Sequence, residues 1–224
     1  MWTPLILALI FIIWLPIYIR TEYIWAQKKY FFMKMFASLL FISIAVSAFL
    51  IYKTPAEYAV WIIAALVLGM IGDLLLVYVD RLKCFRLGLV SFLIVQIVYG
   101  VTFLRYVGFM WVDVVLYAAI VAAALFAYTR VKLNLGKMKI PVLAYLLIIA
   151  FMTVMAVSTL YKPGFNLNTT IHISAGAILF LASDVVLAFV VFHESPPRPL
   201  RAINLSLYYC AQMLLALTVL TFGG

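Results

Sequence analysis

Charge is what this sequence has least of. Of 224 residues, 10% are charged and 69% are hydrophobic, whereas a soluble domain carries roughly 25% charged residues. A chain with so little polar surface cannot coat a water-facing globule, so a soluble fold is excluded and lipid is the expected solvent. Histidine is equally scarce. His172 and His193 stand at opposite ends of one apolar run and cannot share a metal, which excludes a His-based zinc hydrolase. Cys84 and Cys210 are the only cysteines; they offer no spacing for a disulfide framework or a zinc site. Cys84 reads as a plain interfacial residue. The N-terminus lacks the basic stretch and small-residue cleavage site of a signal peptide, so its first apolar run reads as a retained helix.

What the sequence does have is long apolar runs. They fall at about Thr3–Ile19, Met33–Tyr52, Tyr58–Val79, Gly88–Leu104, Trp111–Tyr128, Ile140–Leu160, Ile173–Phe192 and Ala202–Phe222. A bilayer core of about 30 Å takes roughly 20 helical residues, so the length predicts one all-α membrane domain of about eight transmembrane helices over residues 1–224. The runs are too long for strands and lack alternation. Backbone groups in lipid must also be satisfied within a helix or a closed barrel.

The formal charge of +9 reads as positive-inside bias, not as a nucleic-acid surface. The odd-numbered loops carry 12 Lys and Arg residues, and the even-numbered loops only Lys53, Arg105 and Lys162. That asymmetry predicts cytoplasmic odd loops and both termini on the far side, in the inner membrane if the source is bacterial. Trp2, Trp14, Trp25, Trp61 and Trp111 fall mostly near helix ends, as interfacial anchors do.

The halves 1–110 and 111–224 resemble each other. Lys34, Gly72–Asp73 and Gln96 in the first are answered by Lys139, Ser183–Asp184 and Gln212 in the second. The segment MIGDLLLV recurs as LFLASDVVLAF 111 residues later. Four helices per half suggest a parallel four-plus-four repeat.

Two acidic residues lie deep in the runs. A charge there costs about 2.5–3.5 kcal/mol on insertion scales, which makes Asp73 and Asp184 the candidate functional groups. Glu22, Glu57, Asp80, Asp113 and Glu194 lie at ends or in loops and are expected to be hydrated. At 1.5 Å per residue, Asp73, Gln96, Asp184 and Gln212 lie about 9–15 Å inside the cytoplasmic edge. Tyr145 lies one to two turns in, and Lys34 lies at the edge. If the helices turn these six groups inward, they line one cavity on the cytoplasmic side, while the outer half of the spans is nearly all apolar. Gly72 and Ser183, each just before its aspartate, are small enough to let a helix or a ligand approach. Structural glue between helices is the competing reading for Gln96, Gln212 and Tyr145.

At these residues the sequence resembles the YhhN-like family of membrane proteins, whose characterised members are lysoplasmalogenases. The resemblance runs through Lys34, MIGDLLLV, GLVSFLIVQIVYGVTF, VLAYLLIIAFMTVMA, GAILFLASDVVLAF and LYYCAQMLLA. Met35 departs from it, standing where the family pattern has proline. The resemblance implies hydrolysis of the vinyl ether bond of a lysophospholipid, without metal or organic cofactor and with membrane lipid as surroundings. Protonation of carbon is the slow step in that chemistry. One buried carboxyl would supply the proton, and a second would stabilise the oxocarbenium ion or activate water. Asp73 and Asp184 are the two carboxyls, with the roles unassigned between them. Gln96, Gln212, Tyr99 and Tyr145 are candidates to fix the water or the glycerol hydroxyl. Ser183 is counted with the substrate contacts. Lys34 reads either as a phosphate contact or as a snorkelling lysine. The alternative class is a proton-coupled carrier of a small cation or lipid, which needs a polar path toward both faces.

Overall fold

A computed structural model describes residues 2–22, 27–78, 80–130 and 133–223. Trp25, Val79 and Lys132 lie outside the described residues, as do the side chains of Glu22, Lys28 and Lys29. The elements are α1 (Thr3–Glu22), α2 (Gln27–Ile51), α3 (Ala56–Leu76), α4 (Leu82–Val107), α5 (Trp111–Arg130), a short 3-10 turn at Gly136–Met138, α6 (Lys139–Ser158), α7 (Leu167–Phe192) and α8 (Pro199–Gly223). Among the described residues there is no strand, and eight helices are long and apolar enough to cross a membrane.

Local chemistry sets the ends. α3 follows Pro55 and carries Glu57 in its first turn, where an acid complements the helix dipole. α4 stops at Gly108, whose φ of 67° lies in the positive range that glycine adopts without the penalty of a Cβ. Asn166 caps α7 by accepting from the Thr169 backbone N–H at 2.9 Å, and its amide donates to the Thr221 carbonyl of α8 at 2.7 Å. That cap starts α7 six residues before the apolar run predicts, because the polar Asn168, Thr169, Thr170 and His172 sit inside its first turns. α4 likewise starts six residues early and takes Lys83 and Arg86 into its opening turns.

The ends of α1, α3, α5 and α7 and the starts of α2, α4, α6 and α8 form what we term the basic face. There Phe85 of α4 meets Phe192 of α7 with ring centroids 6.2 Å apart. At the opposite face Tyr58, Tyr106, Phe165 and Phe222 form one cluster, all pairs within 4.7–5.6 Å.

The packing follows the order of the chain. α2 packs on α1, α3 and α8; α6 packs on α5, α7 and α4. α3 pairs with α4 as α7 pairs with α8. One asymmetry matters for the site. α1 packs on both α2 and α8, while α5 packs on α6 alone among the described residues.

Candidate functional site

Two clusters, not one cavity, hold the expected polar residues. The first is built on Asp73 of α3, which is 1% exposed. Lys34 Nζ lies 3.4 Å from its Oδ1. Ser38, one turn along α2 from Lys34, donates to Oδ2 at 2.8 Å, and Tyr208 of α8 donates to the same oxygen at 2.9 Å. Behind Tyr208 the amide of Gln212 donates to its hydroxyl at 3.1 Å, and Tyr99 of α4 donates to the Gln212 carbonyl oxygen at 3.0 Å. Gly69 makes room for this arrangement: a Cβ there would sit 2.7 Å from Gln212 Nε2.

The second cluster is built on Asp184 of α7. Tyr145 of α6 donates to Oδ2 at 2.6 Å, and the amide of Gln96 of α4 lies 3.4 Å from the Tyr145 hydroxyl. Gln96 is fully buried with its Oε1 unpaired among the described residues. Each aspartate thus ends a glutamine-to-tyrosine-to-aspartate relay that crosses between the two halves of the chain, with every donor pointing toward the carboxylate.

Aromatic rings divide the two clusters. Phe92, Phe180 and Tyr208 meet edge to face, with centroids 5.4–6.3 Å apart and interplanar angles of 75–90°. Gly72 lets this wall form, because a Cβ there would come within 2.8 Å of the Phe92 ring.

On one side of the wall lies an apolar cavity of about 180 Å³. Its lining comes mainly from α4, α5, α6 and α7, with Leu76 from α3. Of the residues singled out from the sequence, Tyr145 and Asp184 line it, and Asp73, Lys34, Gln96, Tyr99, Ser183 and Gln212 do not. Asp184 is partly exposed to this space. Its Oδ2 is occupied by Tyr145, and its Oδ1 takes no hydrogen bond among the described residues.

Several expectations are corrected here. Lys34 is 6% exposed and ion-paired with Asp73, so it does not snorkel to the membrane edge. Ser183 Oγ donates to the Asn204 carbonyl at 3.3 Å, and the Asn204 amide donates to the Ser183 carbonyl at 2.8 Å; this couple joins α7 to α8 rather than lining the cavity. Asp113, expected to be hydrated, is 1% exposed. Lys162 Nζ lies 2.6 Å from its Oδ2, Ser158 and Tyr161 donate to Oδ1 at 2.6 and 2.7 Å, and the Met110 backbone N–H donates at 2.7 Å. The half of the spans toward the opposite face is therefore not purely apolar. Lys162 also donates to the Gly108 carbonyl at 3.0 Å, closing the α4–α5 turn onto the α6–α7 loop. Sequence reading missed Ser38, Tyr208 and Asn204. Helical spacing carries a signal for the first two, since each stands four residues from a polar residue already singled out.

A family model described as the YhhN family matches residues 29–219. The chain belongs to the YhhN family. Lysoplasmalogenase TMEM86A of Bos taurus is 29% identical over 210 residues, covering 93% of this chain and 82% of its own length. No solved structure matches. As a YhhN protein with eight spanning helices, the chain is an integral, multi-pass membrane protein. Among the described residues, no cluster of three or more His, Cys, Asp or Glu side chains could hold a metal ion.

Proposed function

We propose that this YhhN protein is a membrane hydrolase that cleaves the vinyl ether bond of single-chain alkenyl phospholipids. The observation that carries the reading is Asp184, a carboxyl that lines an apolar cavity and has one oxygen without a hydrogen bond among the described residues. The bovine relative's name supplies the reaction class.

Asp184 is the group that touches the substrate. Its Oδ1 delivers a proton to the outer carbon of the vinyl ether, giving an oxocarbenium ion at the carbon bonded to oxygen. Water adds to that carbon and loses a proton to Asp184. The resulting hemiacetal collapses to a fatty aldehyde and a glycerophospho-alcohol, so the sum is one water consumed. Tyr145 is a positioning residue that fixes Oδ2 and turns Oδ1 to the cavity, with Gln96 behind it. Proton transfer by a positioned group is worth about 10²–10⁴ in rate. The apolar walls keep bulk water from the cation until the single water needed arrives.

Asp73 stands behind Phe92, its carboxylate engaged by Lys34, Ser38 and Tyr208. We assign it to positioning: it locks α2, α3 and α8 and braces, through Tyr208, the ring that walls the cavity. A carrier would need a continuous polar path. The Asp113 cluster gives the opposite face buried polarity, yet its donors and acceptors are mutually satisfied.

The reading is tested by giving detergent-purified protein alkenyl-, acyl- and alkyl-lysophosphatidylethanolamine and following aldehyde. Release from the alkenyl lipid alone is expected. No release by folded protein would sink the hydrolase and leave the carrier.

A further inference from the structure

The cavity raises a problem of size. An apolar cavity of about 150 Å³ holds a molecule the size of benzene. At about 180 Å³ this one can take the reacting linkage and the first few carbons beyond it, and no more of a long chain. The remainder must leave through an apolar gap close to Asp184.

We propose that the slot between α5 and α7 is a lateral portal, through which a single-chain lipid presents its linkage to Asp184 while the rest of its chain stays in the bilayer. This deepens the hydrolase reading and rests on it. Three observations converge on the slot. Among the described residues α5 packs on α6 alone, so α5 and α7 flank α6 without closing on each other. Leu125 of α5 and Val185 of α7 both line the cavity and are 42% and 47% exposed, whereas the cavity's α4 and α6 side chains are buried or half-buried. The wall toward lipid is therefore incomplete at the level of Asp184, the residue next to Val185.

The charge pattern names the occupant. At the basic face the cavity's lining ends at Phe85, Tyr128 and Leu135. Arg86, Arg130 and Lys137, next to or two residues beyond these, are exposed. A headgroup phosphate meets cations there while the chain turns sideways into lipid. A two-chain lipid branches one carbon from the linkage, and the cavity has no volume for that branch.

The test compares hexadecenyl and butenyl lysophosphatidylethanolamine as substrates for Leu125→Trp and Val185→Trp. Both positions face lipid, where an indole is tolerated. Val115→Trp and Ile178→Trp, exposed positions of the same two helices that line neither cavity, serve as controls. Each portal variant is expected to lose about tenfold or more in kcat/KM on the hexadecenyl lipid and to stay within about twofold of wild type on the butenyl one. The controls are expected to match wild type on both. In the wild type, rate should be flat from decenyl to octadecenyl chains, because the added carbons lie in the bilayer. Equal losses on both lipids, no loss on either, the same loss in the controls, or a rate falling steadily with chain length would overturn the portal. Absence of aldehyde from wild type on every chain would instead contradict the hydrolase reading itself, and the portal with it.

Discussion

A carboxylate inside a membrane costs about 2.5–3.5 kcal/mol to insert, and Asp73, Asp113 and Asp184 offset that cost differently. Asp113 and Asp73 each hold a lysine and two hydroxyl donors. Asp184 has one tyrosine and an open oxygen. Breaking a buried ion pair leaves an uncompensated charge and costs about 3–5 kcal/mol. Asp73→Asn should therefore lose stability of that order, read by chemical or thermal unfolding in detergent. The paired change Lys34→Met with Asp73→Leu should recover most of it, since the coupling between contacting residues is not additive. Tyr145→Phe should behave otherwise: aldehyde release falls about tenfold or more while the unfolding midpoint stays near wild type, because it removes one hydrogen bond worth about 1 kcal/mol. The two deep aspartates were legible in the sequence because lipid makes a lone acid conspicuous. Their division into separate clusters was not, because it depends on Phe92 and Tyr208, aromatic residues that look like core filler in any apolar run. Asp113 was misread for a related reason. Its partners Ser158, Tyr161 and Lys162 lie 45–49 residues away, and only the fold brings them to it.

The helices themselves follow directly from the apolar runs, and all eight appear where those runs predict. Their ends do not, since caps are written in single polar residues. Asn166 shows how much one such residue holds: it starts α7 and ties it to the end of α8. Asn166→Ala should cost about 1 kcal/mol for the cap, checked by the shift in unfolding midpoint, with aldehyde release unchanged. α5 is the least supported helix, resting on α6 alone with a cavity toward each face. Few buried contacts mean low local stability. Backbone amides of α5 should exchange with deuterium faster than those of α7 or α8 in a nanodisc, and uniform protection across the helices would contradict the packing described here.

For the whole molecule, eight crossings of the described residues put both ends on one side, and we propose from the excess of Lys and Arg on the basic face that this side is non-cytoplasmic. Alkaline phosphatase fused to either terminus should be active and a cytoplasm-dependent fluorescent fusion dark; opposite results at the two ends would break the eight-helix count. At the same scale the two aspartates end matching glutamine–tyrosine relays, yet differ in use. α1 lies across α2 and α8, the helices that hold Asp73, and that aspartate is sealed. α5, by contrast, packs on α6 and on no other helix among the described residues, and Asp184 meets a cavity. The claim that this difference makes Asp184 the proton donor is tested most directly by aldehyde release from alkenyl-lysophosphatidylethanolamine by wild type, Asp184→Asn and Asp184→Glu, each shown to be folded. The account predicts a loss of about 10² or more for asparagine, with partial return for glutamate, which restores an acidic proton. Asparagine activity within about twofold of wild type would contradict it.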